Sequence, residues 1–537
     1  MARYVAEGMI VVFIELVAFH LVEERTATRI DPSGDEGSWM MVATQVASGH
    51  GFTTRWLEHP FLKPFQLPRP DDFRYPGLVL PLAAAFKIRG VFYQNALSLI
   101  TFIFLVTLLT IYLVCRVKFG VRTAILTMFV SSVSLLQLTW NSMVYTEGLF
   151  GIAVGLTIMI SMSAEQKFKY GVWVFLGIAC SLVYYVRPNG ILLVAGLPAF
   201  MLCKNRKKRH LIFPLLSVLA VLICLSPWLL RNYLNFGNPF HIASNAGLLR
   251  GGAQDPLNLS FTEFIKRNGF RFPFLALLTG TVRFFCTLDF FEHGLHIIPL
   301  GGLIVGIFRR VRFYSKFAII GLLLSFLSVC YVSYNYSWAG VRYFSPFLPF
   351  VYGYGIFNLL TLFDLSLKKI NHYKVMAAVL SFVVLIIPVY YPHRYYERTL
   401  CRQRIENRDH HLRHAAILRG MLINDGCYLA SSAVAGMAYQ SPFHCISIHE
   451  YFDTSYVKLV LRTFNPGALA LTTQDTGTVY VKNIVRVMQD YGYEVRLHDT
   501  FKKYCYYDCH KKFVTEYPVP TSPSIGTPEP MRPAISR

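Results

Sequence analysis

Charge is scarce in this chain: Asp, Glu, Lys and Arg make up 15% of its 537 residues, against roughly 25% in an ordinary soluble domain. That shortage excludes a conventional soluble enzyme, and hydrophobic residues, at 54%, take up the difference. Two patterns that carry chemistry are also missing. There is no Asp-x-Asp triplet, the usual device for presenting carboxylate oxygens to a hard cation that bridges a nucleotide diphosphate. There is no Cys-x-x-Cys pair among the eleven cysteines, so zinc held in the common way is not expected. The first apolar run has no small-x-small cleavage site and is followed by Glu23, Glu24 and Arg25. It reads as a retained signal anchor.

What the chain has is apolar runs of membrane length. Windows long enough to cross a bilayer fall at about 5 to 22, 91 to 115, 122 to 140, 146 to 163, 171 to 187, 189 to 202, 211 to 229, 293 to 308, 317 to 334, 344 to 363 and 375 to 391. The reading is therefore a polytopic, all-α membrane domain of about eleven spans over residues 1 to 390. Window 189 to 202 is short for a span, and 271 to 290 is apolar enough to hide a re-entrant or twelfth helix.

The surplus of base sets the orientation. Lys and Arg number 52 against 30 Asp and Glu, a formal net charge of +22. The excess sits in short alternate connections: 116 to 122, 164 to 170, 203 to 210, 309 to 316 and 365 to 374 hold 17 basic residues and one acid, Glu165. Short basic loops stay in the cytoplasm, so the surplus implies anionic lipid headgroups as partners, not nucleic acid. The N-terminus is then cytoplasmic. The extracytoplasmic side receives the large first loop, 23 to 90, the loop near 230 to 292 and everything after about 391.

Beyond residue 391 the composition turns polar. Short apolar runs at Cys427 to Ser431 and Ala468 to Thr472, a helix-like segment at Tyr480 to Tyr491 and the run Tyr493 to Leu497 predict a small α/β domain over 391 to 517. Residues 518 to 537 carry six prolines and read as a disordered tail. Disulfides are permitted there, with Cys505 and Cys509 or Cys427 and Cys445 as candidate pairs.

Several polar segments fall on the outer side under this topology. Asp35 and Glu36 follow the first span and open an amphipathic helix; taken alone they read as a dipole-favoured helix start. Asp71-Asp-Phe-Arg-Tyr-Pro-Gly-Leu78 runs into an apolar helix, Tyr145-Thr-Glu-Gly148 opens a span, Tyr185-Val-Arg-Pro-Asn-Gly190 closes one, and Pro227 to Phe240 leaves another. Arg342-Tyr-Phe-Ser-Pro-Phe-Leu-Pro349 begins a later one. Ionisable groups at membrane depth are costly and by default functional, so their convergence on one side predicts an outward-facing polar site. Asp289, Glu292, His293 and His296 form a second outer cluster, which reads as a solvated loop.

With these segments in order the sequence resembles the integral-membrane GT-C glycosyltransferases that use lipid-phosphate sugars. They include the dolichyl-phosphate-mannose protein mannosyltransferases and the aminoarabinose transferase of lipid A. The resemblance spans about residues 10 to 360 and rests on the Asp-Glu pair, the Pro-containing end of the first loop, Thr-Glu, Pro-Trp-x-x-Arg-Asn-Tyr with Phe-Gly-x-Pro, and Arg-Tyr-x-x-Pro-x-x-Pro.

The resemblance implies an inverting sugar transfer from a polyprenyl phosphate to an acceptor protein, lipid or polysaccharide outside the cytoplasm; the missing Asp-x-Asp triplet and a monophosphate donor lead to the expectation of no metal or other cofactor. It maps the catalytic base onto Asp35, with Glu36 placing the acceptor. Arg74, in place of the aminoarabinose transferase's Lys-Pro-Pro segment, together with Arg187, Arg231 and Arg342, is a candidate ligand of the donor phosphate; each alternatively snorkels to headgroups. Glu147 is either a helix-start carboxylate or a ligand of the sugar. A glycan ligase or polymerase using lipid diphosphates and a transporter or flippase are the competing classes; a transporter would carry its polar residues at mid-membrane.

Overall fold

The computed structural model describes residues 2–27, 29, 32, 35–57, 67–166, 169–194, 196, 212–241, 272–292, 296–309, 311, 313–335 and 337–367, with the pieces 428–431, 444–447, 468–472, 486, 488–490, 493–501 and 504–511. It divides into two compact units, 1–420 with 434–447, and 421–433 with 448–537.

In the first unit the helices are α1 (Ala2–Ala27), α2 (Asp35–Ala47), α3 (Pro76–Arg89), α4 (Tyr93–Phe119), α5 (Val121–Val133), α6 (Leu135–Asn141), α7 (Glu147–Gln166) and α8 (Tyr170–Val186). They continue with α9 (Ile212–Phe236), α10 (Phe272–Glu292), α11 (Ile297–Phe308), α12 (Lys316–Asn335), α13 (Ser337–Phe344) and α14 (Leu348–Leu367). The ends follow local chemistry. Pro76 starts α3, where its missing N–H is not needed. Gly90 and Gly120, at φ of 88° and 91°, close α3 and α4 in a conformation that only glycine adopts without strain.

Five described helices are long and apolar enough to cross a membrane: Tyr4–Ala27, Tyr93–Phe119, Glu147–Gln166, Ile212–Phe236 and Lys316–Ser333. A sixth span results if α5 and α6 count as one, although the pair bends by 62°. The bend falls at Ser134, whose hydroxyl accepts the Gln137 amide proton and so starts a new helix. The window at 122 to 140 is thus a broken element, while 171 to 187 and 293 to 308 correspond to shorter helices, α8 of 17 residues and α11 of 12. The stretch 271 to 290 is indeed helical, as α10. At 189 to 202 the described residues form a 3-10 turn, Pro188–Gly190, and a short helical continuation; 375 to 391 lies outside the described residues.

Two packing features position the functional end of the bundle. Trp39, Met40, Val42 and Ala43 of α2 pack with Leu78, Val79, Leu82 and Phe86 of α3 and with Tyr93, Leu97 and Ile100 of α4 in one apolar cluster. The start of α3 also sits directly on the end of α8: a Cβ on Gly77 would lie 2.7 Å from Val186 Cα. Short strands tie the first loop together, β1 (Thr53–Thr54) pairing antiparallel with β3 (Arg69–Pro70), and β2 (Trp56–Leu57) parallel with β5 (His444–Ser447).

In the second unit β4 (Tyr428–Ser431) pairs parallel with β6 (Ala468–Thr472), and β8 (Tyr504–Lys511) lies antiparallel between β6 and β7 (Tyr493–Phe501). β4, β6 and the start of β7 coincide with the apolar runs of the sequence, whereas β8 corresponds to none of them. Cys505 and Cys509 share β8, in register with Thr500 and Val495 of β7 respectively. Four strand positions separate them by about 13 Å, beyond disulfide reach, so that candidate pair is withdrawn; Cys427 lies outside the described residues.

Candidate active site

Helix ends from five parts of the chain meet at one polar centre. Asp35 and Glu147 are the first residues of α2 and α7, where the helix dipole favours a carboxylate. Arg187 caps the C-terminus of α8, Arg342 lies in the last turn of α13, where it favours a cation, and Arg74 stands two residues before α3.

Asp35 bridges two arginines, with Oδ1 3.3 Å from Arg74 Nη2 and Oδ2 3.0 Å from Arg342 Nη1. Arg342 Nε donates to Glu147 Oε1 at 2.5 Å, and Arg187 Nη2 donates to the same oxygen. Arg187 Nε donates to Thr146 Oγ1 at 2.5 Å, and Arg74 Nε to Ser38 Oγ at 2.6 Å. Aromatic rings back the guanidinium groups: Arg342 stands 3.8 Å over Tyr145 and 5.4 Å over Trp140, Arg187 5.0 Å over Tyr343, and Arg74 4.7 Å over Phe73. Such faces attract a cation after its water is stripped.

Exposure separates the members. Arg74, Arg187, Arg342 and Glu147 are all buried, while 35% of the Asp35 side chain is open. A ligand entering the centre therefore meets Asp35 first. Burial pushes the Asp35 carboxyl up, but Arg74 and Arg342, with Arg187 behind them, outweigh it and hold the carboxyl below its ordinary range. Asp35 is ionised at neutral pH.

Glu36 sits differently. It is fully buried, Oε2 accepts from Arg29 Nη1 at 3.0 Å, and Oε1 accepts from Tyr93 OH at 2.9 Å and from the Val144 backbone N–H at 2.8 Å. These three partners are not the arginines that hold Asp35. Nor does Arg231 join the Asp35 cluster. It donates to the carbonyls of Asp71 and Phe52, at 2.5 and 3.1 Å, and lies 4.8 Å over Trp228, tying two interior stretches of the first loop together. Beside that clamp Asp72 takes Arg69 on one oxygen and His241 Nε2 on the other, each at 2.7 Å.

The outer cluster expected as a solvated loop is not one at Glu292. This carboxyl is 2% exposed and accepts from Ser134 Oγ at 2.6 Å and Leu136 N at 3.3 Å, bracing the α5/α6 bend. Asp289 is open, His296 is buried, and His293 lies outside the described residues. Sequence reading gave no role to Arg29, Tyr93, Tyr145 or Ser38; Ser38, three residues after Asp35 on a helix, was the one with a spacing signal. Among the described residues no group of three or more His, Cys, Asp or Glu is placed to hold a metal ion.

Comparison with known proteins places this arrangement in a fold. Residues 76–230 match the family model for dolichyl-phosphate-mannose-protein mannosyltransferase. That segment includes Glu147 and Arg187 but not Asp35, Arg74 or Arg342. The Archaeoglobus fulgidus oligosaccharyltransferase, in its apo form, superposes with a TM-score of 0.60 at 12% identity, over 95% of this chain and 74% of that one. ArnT from Cupriavidus metallidurans, bound to undecaprenyl phosphate, superposes at 0.56 and 12%, over 93% and 97%. The fold is that of the GT-C membrane glycosyltransferases. No curated protein matches the chain in sequence. The family match gives a glycosyltransferase as the class of enzyme, and the several apolar helices with this fold make it an integral, multi-pass membrane protein.

Proposed function

We propose that this GT-C glycosyltransferase moves a sugar, with inversion, from a polyprenyl phosphate to an acceptor on the extracytoplasmic side, with Asp35 as general base and Arg74 and Arg342 on the donor phosphate. One observation carries the reading: the open carboxylate lies between two buried guanidinium groups, so a base and an anion site share one centre. Lipid phosphates are known ligands of the fold, with dolichol-phosphate in an AglB oligosaccharyltransferase structure and undecaprenyl phosphate in ArnT.

The chemistry follows from that sharing. The acceptor oxygen attacks the anomeric carbon, the bond from that carbon to the phosphate oxygen breaks with its electrons on the phosphate, and Asp35 takes the acceptor proton as it becomes acidic. Before transfer the two guanidinium groups face one charge on Asp35 and one on the phosphodiester; afterwards Asp35 is neutral and the phosphate carries two. The negative charge held by Arg74 and Arg342 stays constant while it migrates to the leaving group. Donors fixed in advance at a buried site lower a barrier of this kind. The phosphate also draws the arginines away from Asp35, which raises its proton affinity when a base is needed. Asp35 and Glu147 are each paired with arginine, whose charge disfavours a hard cation beside them, and a metal-independent reaction is part of the proposal.

Glu36 and Arg231 take positioning roles in this reading, Glu36 fixing the start of α2 and Arg231 the loop that carries Arg74. The proposal retains about eleven spans, residues 23 to 90 outside, an extracytoplasmic α/β domain at 391 to 517 and a Pro-rich tail at 518 to 537. Two experiments test it. The purified protein in nanodiscs should release free polyprenyl phosphate from a polyprenyl-phosphate sugar once supplied with the acceptor, which comparison of glycans and glycolipids from a deletion strain and its parent identifies by mass spectrometry; an unchanged glycan and glycolipid profile would contradict it. Ser48→Cys and Thr521→Cys, each in a cysteine-free background, should label with an impermeant thiol reagent in intact cells, and labelling only after permeabilisation would reverse the orientation.

A further inference from the structure

Glu147 is loaded on one side only. Its Oε1 receives both Arg342 Nε and Arg187 Nη2, while Oε2, buried, has no hydrogen-bond partner among the described residues. Arg187 shows the complementary gap: Nε and Nη2 are used, and Nη1, equally buried, has no partner. The two residues are 2% and 6% exposed. A buried polar atom without a partner costs about as much as a hydrogen bond or more, so each calls for an explanation, a ligand or a bound water among them. Here an acceptor and a donor, one on each member of the same ion pair, are both buried and without a hydrogen-bond partner among the described residues.

The chemistry of that pair selects its ligand. A phosphate would satisfy Arg187 Nη1 and be repelled by Glu147 Oε2. An ammonium would satisfy Oε2 and be repelled by Arg187. A hydroxyl can donate to the one and accept from the other, and two hydroxyls on one ring can serve both. The pair also shares Arg342 with Asp35, so it adjoins the centre where the anomeric carbon would lie.

We propose that Glu147 and Arg187 form the sugar-reading subsite, which takes hydroxyl groups of a neutral hexose or pentose and disfavours an amino sugar at the same position. The inference rests on the donor reading given above and moves Arg187 from the phosphate to the sugar.

The test measures binding of full-length protein in nanodiscs to undecaprenyl phosphate alone and to the same lipid phosphate carrying mannose, glucose, galactose or 4-amino-arabinose. At least one neutral sugar should tighten binding of the wild type about tenfold or more over the bare lipid phosphate, the worth of a hydrogen bond to a charged group. Glu147→Gln and Arg187→Lys should lose that preference to within about threefold while still binding bare undecaprenyl phosphate. Deoxy analogues of the preferred sugar, offered to the wild type, give a second reading that needs no variant: removing one hydroxyl should cost about tenfold or more.

Retention of the full preference by both variants, equal binding of every deoxy analogue, preference for the amino sugar, or no sugar preference at all would overturn the subsite and leave the open atoms to a bound water. Failure of the underlying reading looks different: the wild type would bind no undecaprenyl phosphate, or Arg342→Ala would bind it as the wild type does.

Discussion

Asp35 and Glu36 are bonded neighbours at the start of one helix, yet they belong to two different regions of the molecule. Around Asp35 the surroundings are two guanidinium groups and an opening, with a third of the side chain exposed. Around Glu36 they are closed: an arginine from the end of α1, the hydroxyl that begins α4 and the backbone amide before α7 all point at a carboxylate with no exposed surface. Successive helical residues project about 100° apart, which sends one carboxylate into the site and the other into the scaffold. A carboxylate with spare surface can take a proton from a ligand. One whose oxygens are saturated holds helices together. Sequence adjacency therefore says little about shared role, and the comparison can be pressed by experiment.

The largest effect should come from the closed region. Glu36→Ala leaves Arg29, Tyr93 and the Val144 amide without their acceptor, and breaking a buried pair in this way typically costs about 3 to 5 kcal/mol. Thermal or denaturant unfolding in a single detergent would read it. A loss under about 1 kcal/mol, the scale of an exposed pair, would mean that Glu36 is not the anchor described.

In the open region a smaller effect on binding is expected. Arg342→Ala removes charge-assisted hydrogen bonds at a buried anion site and should weaken polyprenyl-phosphate binding by about 1.5 to 3 kcal/mol, or roughly 10 to 150-fold. Isothermal titration or native mass spectrometry checks it. Arg231→Ala should weaken the same binding far less, because Arg231 holds loop carbonyls and not Asp35.

The smallest effect concerns pH. The folded-state affinity of Asp35 for a proton is depressed, so the stabilisation from its ion pairs is present above the unfolded value, about 3.9, and is lost as pH falls through the lower folded value. The acid limb of kcat/KM in the free enzyme should accordingly lie below about pH 4. Arg74→Ala removes one of the two cations and should move that limb upward. A limb unchanged by this substitution would place Arg74 outside the electrostatics of the base.

Much of the open region was legible in the sequence, because Asp35, Arg74, Glu147, Arg187 and Arg342 all lie at helix ends or loop edges that the charge bias assigned to one side. The closed region was not. Nothing in an Asp-Glu dipeptide tells which side chain turns inward, and Arg29 and Tyr93 lie 7 and 57 residues from Glu36. Arg231 misled for the same reason: a guanidinium that clamps backbone carbonyls has the same sequence appearance as one that waits for phosphate. Hydropathy windows assume straight helices of full membrane length. They matched α1, α4, α7, α9 and α12 but overlooked the break at Ser134, where the buried Glu292 reaches in from 158 residues away.

The central claim is that Asp35 performs chemistry while Glu36 supports it. The direct test is the single-turnover rate of sugar transfer, per folded molecule, for wild type, Asp35→Asn and Glu36→Gln with saturating donor. Both substitutions keep size and most hydrogen bonding and remove one carboxylate. The account predicts a fall of about 10² to 10⁴-fold for Asp35→Asn, the loss of a general base, and a rate within about tenfold of wild type for Glu36→Gln, with lowered stability. An Asp35→Asn enzyme that kept more than about a tenth of the wild-type rate, or a Glu36→Gln enzyme that fell as far as general-base loss requires, would contradict it.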